Sequence, residues 1–72
     1  MQAREIRTLT TEDLQGRLEE ARRELFALRR ELAMGRLEDH NRITAVKRDV
    51  ARMKTVLRER ELTAELVEEA TR

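Results

Sequence analysis

Hydrophobic residues recur along the first half of the chain with the spacing of one face of a helix. They stand alternately four and three residues apart, at Leu14, Leu18, Ala21, Leu25, Leu28 and Leu32. This period is typical of a packed α-helix and excludes the every-second-residue alternation of a strand. Upstream, Thr10 has the character of an N-cap residue, and Asp13 lies three residues later, as in a capping box. The pattern predicts a helix that begins after Thr10 and ends at Gly35, a residue type that closes helices in the left-handed conformation.

A second apolar face follows after a short polar connection. Asp39 is a candidate N-cap, and the apolar positions then recur three and four residues apart, at Ile43, Val46, Val50, Met53 and Leu57. Two such helices joined by so short a loop must fold back on each other antiparallel. We call the two facing apolar rows the hairpin seam. The sequence predicts an all-α fold, an antiparallel two-helix hairpin, with residues 2–8 forming a short N-terminal turn of helix.

The regular pattern ends shortly after Leu57, where Arg60 and Glu61 occupy the next seam positions. We therefore expect one domain, the helical hairpin of residues 1–61. Residues 62–72 are expected to form an acidic C-terminal tail, a frayed or conditional helix.

Composition narrows the class of protein. The 72 residues include no Cys, so disulfides and thiolate zinc sites are excluded, and no apolar run approaches the length of a membrane span. Neither a signal peptide nor a membrane partner is expected, and the expected location is the cytoplasm. A helical layer this small leaves its seam half open and usually needs a partner to be robustly ordered.

Charge is unevenly distributed. Residues 1–60 carry 15 basic and 11 acidic side chains, a net charge of +4, whereas residues 61–72 carry a net charge of −3. Of the 16 basic residues 14 are Arg, the side chain best shaped for bidentate contact with phosphate. The second helix concentrates the positive charge, since residues 42–60 have seven basic and two acidic side chains.

Basic and hydroxyl side chains share the outer surface of the second helix. On a helical wheel, one row opposite the seam holds Thr44, Arg48, Arg52 and Thr55, and the adjoining row holds Lys47, Ala51, Lys54 and Arg58. Such a surface suits a phosphate backbone, although a merely solvated helix face is the alternative. On the first helix, Phe26 lies off the seam. It is a candidate contact for protein or RNA, and in an RNA contact its ring could stack on an unpaired base. The alternative is that Phe26 only covers the edge of the seam.

Nothing in the sequence supports catalysis. His40 is the only His, at a helix start, with no Cys or second His to join it in a metal site. The carboxylates lie within reach of Arg side chains at helical spacing, as in the pair Glu19 and Arg23 and the pair Asp49 and Arg52. We expect no enzyme activity, no cofactor, no metal and no small-molecule substrate.

Four segments of the chain match a known family in order. They are Glu24-Leu25-Phe26-Ala27-Leu28-Arg29, Gly35-Arg36-Leu37-Glu38, Arg42-Ile43 with Lys47-Arg48-Asp49-Val50-Ala51-Arg52, and Thr55-Val56-Leu57-Arg58-Glu59-Arg60-Glu61. Together they resemble the bacterial large-subunit ribosomal protein twenty-nine family over about residues 4–61. The tail after Glu61 extends beyond the shared region.

The resemblance implies a structural constituent of the large ribosomal subunit that binds large-subunit rRNA near the nascent-peptide exit site. It also implies a neighbouring exit-site ribosomal protein as a partner, close to where trigger factor and the signal recognition particle dock. The residues that it carries over as RNA-binding candidates are Arg29, Arg42, Lys47, Arg48, Arg52, Thr55 and Arg58.

Two other hypotheses compete with that of a ribosomal protein. A homodimeric helical hairpin, forming a four-helix bundle, would close the half-open seam on a second copy. A small helical enzyme with Arg-rich chemistry would require polar groups in the seam, and the seam contains only Leu, Ala, Ile, Val and Met.

Overall fold

A computed structural model describes residues 1–71. Three helices follow in order: α1 over Ala3–Arg7, α2 over Thr11–Ala33 and α3 over His40–Ala70. The described residues contain no strand. The two long helices pack against each other, and α1 packs against α3. The all-α fold, the helical hairpin and the short N-terminal turn of helix are therefore confirmed.

The helix ends form as the local sequence predicts. Thr10 caps α2, its hydroxyl accepting a hydrogen bond from the Asp13 amide at 3.1 Å. Asp39 caps α3 by accepting from the Asn41 amide at 3.0 Å. Each cap pairs one of the main-chain N–H groups that a helix start leaves without a partner.

Gly35 closes α2 in a Schellman motif. Its φ of 71° is the left-handed conformation. The Gly35 amide donates to the Leu32 carbonyl at 3.1 Å, and the Arg36 amide donates to the Glu31 carbonyl at 2.8 Å. These bonds satisfy carbonyl groups at the helix end and turn the chain toward α3.

The hairpin seam forms the core. Buried side chains from α2 face buried side chains from α3, and Ile6 of α1 completes the cluster; the seam members are Leu14, Leu18, Leu25, Ile43, Val46, Val50 and Met53. Ala21, Leu28 and Leu57 are half-buried at its edge.

Two seam positions differ from the prediction. Val56 is buried at 4% exposure, whereas the predicted Leu57 is only half-buried, because the docking of α1 adds a second contact side to α3. Leu32 is 44% exposed, since it lies in the last two turns of α2, beside the loop that leads to α3. The apolar pattern of the two long helices contains no information about the docking of α1 or about the loop beside Leu32.

Helix α3 continues well past the hairpin. It runs without interruption to Ala70, where a frayed or conditional helix was expected from residue 62 onward. Every described residue from 61 to 71 is exposed. At about 1.5 Å per residue, residues 62–70 project roughly 14 Å as a solvated helical extension. The last residue of the predicted acidic tail, Arg72, lies outside the described residues.

Candidate nucleic-acid interface

A groove between α2 and α3 gathers several of the predicted contact residues. Its walls carry four basic side chains, Arg22 and Arg29 from α2 and Lys47 and Lys54 from α3. Its floor and rim are apolar, formed by Leu25, Phe26, Val50 and Ala51. The groove has a volume of about 490 Å³ and is open to solvent. We call these eight residues the cationic groove.

Helical spacing builds this groove. Arg22 and Arg29 are seven residues apart, as are Lys47 and Lys54, so each pair stands two turns apart on one side of its helix. Val50 lies between the two lysines in the sequence and turns into the seam, where it is buried. Ala51 keeps the α3 wall low because its side chain is a single methyl group. The groove thus lies along one edge of the hairpin seam.

The four cations of the cationic groove are uncompensated. No acidic side chain lines the groove, and among residues 1–71 none of the four makes a hydrogen bond or an ion pair. Positive groups without local partners favour an anionic ligand, since binding it breaks no existing pair.

Phe26 lies exposed at this groove, with 64% of its side chain accessible. Leu25 beside it is buried and holds that wall of the groove. The groove thus places an exposed aromatic ring beside four basic side chains.

The outer row of α3 is less uniform than its sequence indicates. Arg48 is exposed and makes no hydrogen bond or ion pair with another described residue. Arg52, in contrast, lies 3.7 Å from the Asp49 carboxylate and donates to the Met1 carbonyl at 3.0 Å. Asp49 also accepts from the Met1 ammonium group at 2.8 Å. Arg52 therefore helps to hold the chain before α1 against α3.

Thr55 and Arg58 also have partners within α3. The Thr55 hydroxyl donates to the Ala51 carbonyl at 2.9 Å, and the Arg58 guanidinium donates to the Glu61 carboxylate at 2.9 Å. That hydrogen bond, followed by the charges of Glu61 and Glu65, raises the pKa of Arg58 above its ordinary value. Arg58 stays protonated, but part of its charge is already compensated.

Arg42 lies away from the groove and bridges the two helices. Its Nε donates to the Glu24 carboxylate at 2.8 Å, and its Nη2 contacts the same oxygen. The Glu24–Arg42 pair links α2 to the start of α3 near the closed end of the hairpin. Of the seven predicted RNA-binding residues, the structure brings Arg29 and Lys47 together in the groove and leaves Arg48 free on the outer row.

Two groove residues, Arg22 and Lys54, are missing from the predicted RNA-binding set. The wheel of α3 placed Lys54 beside Lys47, but the wheel of a single helix does not show which residues of α2 stand opposite. Arg22 also stands within helical reach of Glu19, but Glu19 pairs with Arg23 at 3.5 Å and leaves Arg22 free. Counting the charges of each helix separately does not show that basic residues of both helices line one groove.

Metal-ligand clusters and membrane-spanning helices are absent from residues 1–71. They contain no cluster of three His, Cys, Asp or Glu side chains that could hold a metal ion. Among residues 1–71, none of the helices has both the length and the apolar character needed to cross a bilayer. No buried side-chain nitrogen or oxygen among these residues lacks a hydrogen-bond partner. Fold and surface define a small helical protein whose distinctive feature is an exposed cationic groove.

Comparison with known proteins identifies the family of this small helical protein. The profile of the family described as ribosomal L29 protein matches residues 4–60. The large ribosomal subunit protein uL29 of Geobacillus stearothermophilus is 52% identical over 64 residues, covering 89% of this chain and 97% of that protein. The protein of the same name from Streptomyces coelicolor is 52% identical over 68 residues, covering 94% of this chain and 92% of that one. In Finegoldia magna the identity is 53% over 62 residues, with 86% and 91% covered.

The chain belongs to the ribosomal L29 protein family. It is a structural component of the ribosome and not an enzyme. The resemblance drawn from the four sequence segments is confirmed, as is the expected location, the cytoplasmic ribosome.

Proposed function

We propose that this chain binds large-subunit rRNA near the nascent-peptide exit site, as a structural constituent of the large ribosomal subunit. The observation that supports this most directly is the cationic groove, whose four basic side chains have no acidic partner. Phosphate groups on RNA would supply the missing negative charge, and release of counterions would favour binding. Proteins of the same family carry the large subunit in their names.

The candidate residues divide into two groups by their existing partners. Arg29, Lys47 and Arg48 are free and are the main phosphate contacts in this proposal. Arg42, Arg52 and Arg58 are already paired with Glu24, Asp49 and Glu61, in that order, so each has less net charge to offer. Thr55 retains acceptor capacity on its hydroxyl oxygen while it donates to Ala51.

The location near the exit site rests on the family resemblance. A neighbouring exit-site ribosomal protein is the expected protein partner, and trigger factor or the signal recognition particle the expected visiting factors. The acidic extension of α3 repels phosphate, which favours a position for residues 62–72 away from rRNA.

The experiment is a salt titration of binding to a large-subunit rRNA fragment. The double variant Arg29→Ala with Lys47→Ala removes two groove cations without touching a buried residue. Each lost phosphate contact should reduce the slope of log K against log salt by roughly 0.7–0.9, so the double variant should lose about 1.4–1.8. Affinity at low salt should fall, while helicity measured by circular dichroism stays unchanged.

A matched control removes the same net charge elsewhere. Arg4 and Arg17 are exposed, make no ion pair with another described residue and lie outside the groove. Arg4→Ala with Arg17→Ala should leave the slope nearly unchanged. Equal effects of the two double variants would show that only net charge matters and would overturn the groove as the binding surface.

A further inference from the structure

We infer that the cationic groove receives an unstacked RNA base, with the Phe26 ring as its stacking platform. This inference rests on the proposed function and names the part of the RNA that the groove holds. The observations behind it are an exposed aromatic ring, an apolar floor and free cations in one groove between two helices.

The exposure of Phe26 is the first step. Phe26 is the only Phe, Tyr or Trp in the chain, and the residue is 64% exposed at a position off the seam. Single exposed apolar side chains are common, so it is the position of Phe26 on the cationic groove that points to a ligand. An aromatic face offers stacking energy to any base, since every base has a π-face.

The surroundings of the ring select the ligand. Leu25 and Val50 give the groove an apolar floor, and Ala51 beside them presents only a methyl group. The volume of about 490 Å³ is within the range of roughly 300–1,000 Å³ in which pockets hold small organic groups. A flat, partly apolar base fits this floor better than a phosphate or a ribose does.

The cations determine where the backbone lies. Arg22 and Arg29 flank the ring on α2, and Lys47 and Lys54 stand on the opposite wall, each pair about 10.5 Å apart along its helix. A base on the floor places the phosphates on both sides of it toward these four cations. A protein ligand would need several acidic side chains around one apolar residue to achieve the same match.

A regular duplex does not meet these conditions. Its bases are stacked internally, so a duplex would present phosphate and ribose to the apolar ring. Bulges and loops expose bases that can leave the stack, and RNA-binding proteins stack such bases on aromatic side chains. The geometry therefore points to a bulge or a loop as the element that the groove contacts.

The test uses three RNA probes of the same length and the full chain. One is a continuous duplex, one carries a single bulged adenosine, and one carries an abasic nucleotide at the bulge. The abasic probe keeps the shape and charge of the bulge but removes the base. Wild-type protein should bind the adenosine bulge roughly 5- to 150-fold more tightly than the abasic bulge, the range expected for one stacked base.

The Phe26 variants identify the platform. Phe26→Ala should abolish the preference for adenosine over the abasic site. Phe26→Trp should retain the preference. Met34→Ala is the control and should leave the preference intact. Met34 follows directly after α2, is also an exposed apolar residue and does not line the groove. Circular dichroism should show equal helicity for all the variants, because both positions are exposed.

Several results would overturn the inference. Equal binding of the adenosine and abasic probes by the wild type would exclude the base as ligand, and a preference that persists in Phe26→Ala would exclude the ring as its stacking platform. If Phe26→Ala binds every RNA normally but incorporates poorly into reconstituted subunits, a protein surface covers the ring instead. Loss of salt-dependent binding to all three probes is a different failure, because it would contradict the proposed RNA binding itself.

Discussion

Arg60 of α3 and Leu9, in the connection before α2, are joined by a hydrogen bond in which the guanidinium Nη2 donates to the Leu9 carbonyl at 2.8 Å. The same guanidinium donates to the Thr11 hydroxyl at 3.1 Å and to the Arg7 carbonyl at 3.4 Å. One side chain thus holds the end of α1, the connection and the start of α2 against α3. It closes the end of the hairpin where the apolar seam runs out.

Replacing Arg60 should loosen this end of the molecule. In Arg60→Met the aliphatic part of the side chain is kept and the hydrogen bonds are lost, so we expect the free energy of unfolding to fall by about 1–2 kcal/mol. For a chain of this size the midpoint temperature would fall by roughly 5–15 °C, measured by circular dichroism. Arg58→Met is the control, since the Arg58 side chain is exposed and its ion pair with Glu61 lies within α3. Equal melting of the two variants would contradict the role assigned to Arg60.

The role of Arg60 also shows what the sequence could not reveal. Apolar periodicity identifies the seam because burial of Leu, Ile, Val and Met follows the helical repeat. By that criterion Arg60 interrupts the seam, whereas in the structure it completes the packing through main-chain carbonyls of another segment. Its acceptors, at Leu9 and Arg7, belong to a connection whose path depends on α1 docking. The cationic groove was hidden for a similar reason, since Arg22 and Lys47 become neighbours only when the two helices meet.

Features that depend on residues close in the sequence agree with the prediction better than contacts between distant segments do. The caps at Thr10 and Asp39 and the left-handed Gly35 depend on residues within a few positions, and all three form as predicted. Val56 is buried partly because α1 packs on α3, and no pattern within α3 records that contact.

The two glycines should respond in opposite directions to substitution by alanine. Gly35 has a φ of 71°, where a Cβ is strained, so Gly35→Ala should cost about 1–2 kcal/mol of stability. Gly16 lies within α2, and a Cβ there would meet nothing within 4 Å. Gly16→Ala should therefore stabilise the protein by about 0.5–1 kcal/mol. Urea denaturation of both variants checks the signs, and a stabilised Gly35→Ala would show that the Schellman turn is misplaced.

Neighbouring positions on α3 should separate folding from binding. Val50 is buried, and an aspartate there would place an unpaired charge in the seam, at a cost of about 3–5 kcal/mol. Val50→Asp should lose a large share of the stability, which totals on the order of 4–11 kcal/mol for a chain this size, and should melt at a clearly lower temperature by circular dichroism. Ala51→Asp adds the same charge at an exposed groove position and should stay helical while binding rRNA more weakly. A folded Ala51→Asp with normal affinity would contradict the groove.

The acidic extension of α3 should be dispensable for the fold. A chain that ends at Glu61 keeps the seam, the Arg60 hydrogen bonds and the Arg58–Glu61 pair. Because every described residue beyond 61 is exposed, the truncation should change the free energy of unfolding by less than about 1 kcal/mol. It should also assemble into large subunits as well as the full chain does. Quantifying the protein in sedimented subunits measures this, and a clear assembly defect would assign residues 62–72 a binding role.

Arg48 and Arg52, one turn apart on the outer row of α3, should have different consequences when replaced. Arg48 is free, so Arg48→Ala should remove one phosphate contact and lower the salt slope of rRNA binding by roughly 0.7–0.9 without changing stability. The charge of Arg52 is shared with Asp49, and its guanidinium holds the Met1 carbonyl. Arg52→Ala should reduce the slope less and should instead lower the melting temperature, because the segment before α1 loses a contact. Salt titration and thermal melting of the two single variants measure both quantities. The same slope change in both variants, with no difference in melting, would mean that the intramolecular partners of Arg52 do not constrain it when RNA binds.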